Sequence, residues 1–220
     1  MKEVAAVFQK EWRAEVRSRH GLFTAGLFSV LAVVAMSFAG YGLRPSGSLA
    51  AGMLCVTLLF SAILALPRTF LIEDEQGTFD LLRLIGEPGP VFVGKTLYNI
   101  VQMLVTGALL GTVFLALSGV EVRSGPLLVA GLGLQCVALA AAVSLCGALV
   151  IGASNRWVLA GAVAMPLLLP QVFLGVGALR VALGEGMSAG GWQSVAGLAG
   201  FAVAALASGP LIASAVWREE

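Results

Sequence analysis

The chain has 220 residues, 13 Lys plus Arg against 12 Asp plus Glu, a formal net charge of +1 and 59% hydrophobic residues. Charged residues are 11% of it, against roughly 25% in an ordinary soluble domain, and the mean hydropathy is +0.96. That excludes a soluble globule, which needs more polar surface, and a disordered chain, which is apolar-poor. So small a net charge gives no electrostatic footing for nucleic acid, and the surplus apolar residues call for a lipid bilayer.

Residues 1–19 read as an interfacial helix. Val4, Phe8, Trp12 and Val16 recur every fourth position, while Lys2, Gln9, Lys10, Arg13 and Arg17 take other faces. An amphipathic helix with Trp and basic residues suits the headgroup boundary. The plainer alternative is a solvated basic leader that only fixes topology. Six apolar runs follow, at 21–41, 49–72 (charge-free to Leu66), 96–120, 127–153, 158–179 and 192–216. Each approaches or exceeds the length of about 20 residues that a spanning helix needs. Stretches such as Val137–Val143 are apolar on every face, which rules out the alternation of a barrel strand. Ser37-Phe38-Ala39 could pass for a signal-peptide cleavage site, but the charged lead before it is too long for a standard leader. The expected fold is all-α: one domain over 1–220, a polytopic membrane protein with six transmembrane helices.

Lys and Arg mark the cytoplasmic side of a membrane protein. With the N-terminus inside, Lys2, Lys10, Arg13, Arg17, Arg19, Arg68, Arg83, Lys95, Arg156 and Arg218 are internal, and Arg44, Arg123 and Arg180 external. Both termini are therefore expected in the cytoplasm. The polar stretch Pro67–Lys95 is then a cytoplasmic loop between the second and third spans, with acids at Glu73, Asp74, Glu75, Asp80 and Glu87. Phe79 and Leu82 share one face of a short amphipathic helix over Glu75–Ile85, ended by Gly86 and Pro88. Such a helix can insert Phe and Leu into a groove on a partner. It can equally be a connector that caps two membrane helices, and composition leaves both readings open.

No HExxH pattern occurs in the sequence, and no catalytic role is expected of the chain. Cys55, Cys136 and Cys146 have no metal or redox spacing and read as small core residues. His20, the one histidine, reads as an interface residue. No Asp, Glu, Lys or Arg falls mid-span, which argues against an ion-driven carrier or ion channel. Asn99, Gln102, Gln135 and Gln171 read as polar glue between helices. Pro166 and Pro170 stand four apart in the fifth run and should kink it, either as a functional bend or as a packing accommodation.

Glu73-Asp74-Glu75-Gln76-Gly77-Thr78-Phe79, followed by Leu82, a Pro-containing turn and Gly94-Lys95, resembles the cytoplasmic loop of ABC-2-type transporter membrane subunits. Within that group the chain resembles the CcmB family of cytochrome c maturation. The likeness lies in Arg68-Thr69-Phe70, in Leu159–Pro170 with its Pro-Leu-Leu-Leu-Pro, in the closing Trp217-Arg218-Glu219-Glu220 and in total length. It departs at Glu87-Pro88-Gly89-Pro90 and at Phe79-Asp80, where the family more often has Leu-Glu.

The resemblance implies a non-catalytic membrane subunit in the bacterial cytoplasmic membrane. It would couple a separate CcmA-like ATPase to haem export, or to haem delivery to a periplasmic CcmE-like chaperone, beside CcmC-like and CcmD-like membrane proteins. The ATPase would dock on Glu73, Glu75, Gly77, Thr78, Phe79 and Leu82, and Pro166 and Pro170 would serve the conformational change. No metal or cofactor is expected on this chain alone, haem being the substrate of the complex. With one histidine, on the inner side, haem ligation should fall to a partner. The alternatives are an ABC-2 permease for a lipid-linked sugar or drug, and a non-transporting assembly subunit.

Overall fold

Lipid offers the backbone no hydrogen-bond partner, so apolar runs of this length must satisfy their own N–H and C=O groups as helices. The computed structural model describes residues 2–18, 20–39, 44–75, 77, 86–150 and 156–216. Among these, eight helices follow one another and no strand occurs: α1 Lys2–Ser18, α2 His20–Ala39, α3 Gly47–Ala65, α4 Arg68–Glu75, α5 Pro88–Ser118, α6 Gly125–Leu149, α7 Arg156–Ala182 and α8 Ser188–Val216. Five stretches are long and apolar enough to cross a membrane: Gly47–Leu71, Pro88–Ser118, Gly125–Leu149, Ala162–Ala182 and Ser188–Ala215. The apolar stretch recorded in α2, Gly26–Phe38, is shorter. The chain is thus an all-helical, multi-pass membrane protein.

Two boundaries differ from expectation. The run at 49–72 is divided at Leu66-Pro67 into α3 and α4. Proline has no N–H to donate to the Ile63 carbonyl; past it the Phe70 N–H turns to the Pro67 carbonyl at 3.1 Å, and the Leu66 carbonyl accepts from side chains, Thr69 Oγ1 at 2.9 Å and Asn99 Nδ2 at 3.3 Å. The third run begins at Pro88 rather than at residue 96. Proline suits the first helical turn, and the early start places Lys95 inside α5.

α6 is the central post. It packs against α5, α7 and α8, while α3 packs on α7 and α2 lies against α3 and α5. Leu54, Leu58, Leu139, Val143 and Leu168 form part of the main core. Ser29 of α2 and Ser61 of α3 share a buried hydrogen bond of 2.7 Å. Gly107 lets α5 lie close to α6: a Cβ there would sit 2.3 Å from Cys136 Sγ. All three cysteines are free and buried. Phe23, Leu27 and Leu31 of α2 and Met165, Leu169 and Phe173 of α7 are exposed, as side chains facing lipid would be.

The loops sort to two ends. At one, Arg44 Nη1 meets Glu121 Oε1 at 3.0 Å, Arg123 N donates to the Ala182 carbonyl at 2.9 Å, and Ser48 Oγ donates to Glu185. That hydroxyl holds the Glu185 carboxyl below its ordinary range. At the other end Phe70 of α4 and Phe92 of α5 lie 5.9 Å apart, packed with Ala148 of α6 and Ala213 of α8. α1 joins this second end through α5.

Candidate functional site

The second end is built from α1 outward. The face of α1 turned to the bundle carries Val4, Val7, Phe8, Glu11 and Glu15, all half-buried. This corrects the expected stripe, because Trp12 is 45% exposed and Val16 57%. Phe8 packs edge-on to Tyr98 of α5, centroids 6.4 Å apart. At Gly94 the helices nearly touch: a Cβ would lie 2.8 Å from Val7 Cβ and 3.0 Å from the Val4 carbonyl oxygen. Beside this crossing an open groove of about 760 Å³ runs between Ala5, Phe8 and Trp12 of α1 and Val101 of α5.

The close crossing carries Lys10 and Glu11 to Lys95, and the restart at Pro67 brings α4 over the same point. Lys95 is 1% exposed. Its Nζ donates to Glu11 Oε1 at 2.8 Å, lies 3.0 Å from Glu73 Oε2 and donates to the Thr69 carbonyl. It also sits 5.5 Å from the centroid of the Phe70 ring. Lys10 donates to Glu73 Oε1, closing a four-charge cluster that sums to zero. An ammonium has three hydrogens, and here three oxygens from two other helices surround it. One turn deeper Asn99, fully buried, donates to Ser144 Oγ at 2.8 Å and Thr69 Oγ1 at 3.2 Å, tying α6 into the network.

A buried charge keeps its ionised form only when paired and hydrogen-bonded. Removing one partner of such a pair costs about 3–5 kcal/mol, chiefly because the other is left uncompensated. The cluster is therefore a set of parts that hold together or fail together. It is the most highly connected polar feature among the described residues, and it lies where α4 enters the Pro67–Lys95 loop.

Of the residues singled out in the sequence, Glu73 is turned inward, with its side chain 8% exposed, toward Lys10 and Lys95. Glu75 is the last residue of α4. Gly77 has φ +64° and is exposed, a left-handed conformation that costs glycine nothing. Thr78, Phe79, Leu82 and the remainder of Gln76–Ile85 lie outside the described residues, as does Trp217-Arg218-Glu219-Glu220. α7 runs from Arg156 to Ala182 without a break in its helical assignment, with Pro166 and Pro170 inside it and exposed. Beside them Gln171 is buried and donates to the Gln135 carbonyl at 3.3 Å.

Sequence reasoning missed the cluster. From the sequence alone Lys10 reads as a headgroup base, Glu73 as a docking acid and Lys95 as part of a Gly-Lys pattern. One signal was available: Glu11 and Glu15 fall on the same helical face as Val4 and Phe8, an odd place for two acids.

Residues 2–219 match the family described as CcmB protein. The chain is 29% identical over 222 residues to heme exporter protein B of Paracoccus denitrificans (strain Pd 1222), with 97% of each chain covered. A match that begins with α1, takes in every helix and runs past the end of α8 leaves no part of the fold outside it, and the chain belongs to the CcmB protein family.

Proposed function

We propose that this chain is the membrane subunit of a haem-exporting ABC complex serving cytochrome c maturation. The observation that carries the proposal is the likeness, over 97% of both chains, to a protein named heme exporter protein B. In this reading α2 is the sixth span, and the end that bears α1, α4 and the ion cluster faces the cytoplasm. The Lys and Arg bias supports that orientation. A CcmA-like ATPase docks at the Pro67–Lys95 loop, and CcmC-like, CcmD-like and CcmE-like proteins complete the assembly. Since Glu73 is engaged within the chain, docking falls to Glu75, Gly77, Thr78, Phe79 and Leu82. Haem is cargo. The cysteines are buried in the core, so axial ligation of the iron belongs to the partners.

Phe79 is the proposed anchor, because buried aromatics dominate such interfaces. Truncation to Ala should cost on the order of 2 kcal/mol, roughly 30-fold in affinity for the ATPase. Co-purification of the ATPase with Phe79→Ala measures this. Undiminished binding by a folded variant removes Phe79 as anchor. If deleting Gln76–Ile85 also leaves binding intact, the loop is a simple connector and the docking assignment falls.

A further inference from the structure

We infer that Lys95 is a positioning residue at a mechanical joint, through which movement of α4 reaches α5 and α1 when the partner ATPase cycles. The inference rests on the proposed docking of that ATPase at the loop that α4 enters.

The argument begins with where the partners of Lys95 come from. None is on α5 itself. Glu11 is on α1, and Glu73 and Thr69 are on α4. One buried ammonium therefore fixes three helices in a single register. α4 has modest apolar anchorage of its own: Phe70 packs with Phe92, Ala148 and Ala213, and Leu71 with Val150. Its polar ties to α5 run through Lys95 and Asn99. A push on the loop arrives at α4, and these ties are its path to a membrane-spanning helix.

Stability does not explain the choice of residues. Apolar side chains of similar volume would hold three helices as well or better, because ions must be stripped of water to be buried. Charges add a fixed geometry instead. Ion pairs and charge-assisted hydrogen bonds at 2.8–3.0 Å weaken with small separations, so the cluster transmits displacement as a unit and resists sliding by fractions of a turn. Gly94 keeps α1 close enough for Glu11 to take part.

The test uses the intact complex with its ATPase. Lys95→Met keeps the unbranched chain to within one atom and removes its charge. Glu73→Gln keeps the volume and one of the two acceptor oxygens, removes the charge, and serves as a second variant should the first misfold. Two readouts are taken: ATPase recovered with the membrane subunit, and haem transferred to the acceptor protein per ATP hydrolysed, followed by Soret absorbance. The expected result is unchanged recovery of the ATPase with a transfer ratio lower by about tenfold, the size of an ordinary coupling free energy. Lys95→Arg should restore most of the ratio. A purely structural residue would lower recovery and transfer together and leave the ratio unchanged. A wild-type ratio in Lys95→Met overturns the inference while leaving ATPase docking intact. Misfolding of both variants assigns the cluster to structure alone and also overturns it. If the ATPase does not associate with the wild-type chain, the docking proposal fails and the inference falls with it.

Discussion

Replacing Gly107 by Ala tests how tightly α5 is set against α6. The new methyl would stand 2.3 Å from Cys136 Sγ, with Leu58 Cδ2 next at 3.7 Å and Cys136 Cβ at 3.9 Å. Carbon atoms in good contact sit at about 3.5–4.0 Å, so either the sulfur or the helix must yield by more than an ångström. Cys136 is 1% exposed and has little room to turn. Overpacking of this kind costs about 1–3 kcal/mol, from which up to about 1 kcal/mol is recovered because Ala is the better helix former. Cys136→Ala alone removes one buried heavy atom and should cost about 1 kcal/mol. Combined, the two changes relieve each other, since the new methyl then finds Leu58 Cδ2 at 3.7 Å and the Cβ at 3.9 Å, both ordinary contacts. The expected coupling between the sites is about 1–3 kcal/mol in favour of the double variant. Denaturant unfolding in detergent of the four proteins in the cycle measures it. Additive effects would refute the reasoning, because they would mean that the glycine is not what permits the close approach.

Two further outcomes are expected. In a background with Cys55, Cys136 and Cys146 replaced, Arg123→Cys should react with a membrane-impermeant maleimide from outside intact cells; reaction from the cytoplasmic side alone would reverse the proposed orientation. Pro166→Ala with Pro170→Ala should raise the stability of α7, since interior proline is worth up to about 3 kcal/mol against a helix, and should lower haem transfer; full transfer by the stabilised variant would make the prolines a packing accommodation.

Much of the fold is legible because its cause is local. An 11% charge content and long apolar runs force helices in lipid whatever their neighbours do, and α1 ends within a residue or two of where its periodicity stops. The boundaries that shift are those where a local rule met a distant partner. Charge reads as the mark of a loop, which would start the third span after Lys95. α5 instead carries Lys95 in its interior, because Glu11 and Glu73 are there to receive it. Pro67 falls within an apolar run by hydropathy, which does not register a missing N–H.

The site is less legible for a related reason. Glu11 and Lys95 are 84 positions apart, and no periodicity relates residues so distant. A sequence gives each charge a sign and no direction, so Glu73 in an acidic stretch reads as part of a surface offered to a partner. Burial decides otherwise: with Lys10 on one oxygen and Lys95 on the other, the carboxylate faces its own chain. The direction of Glu73 follows in turn from Gly94, which admits α1 and with it Lys10 and Glu11.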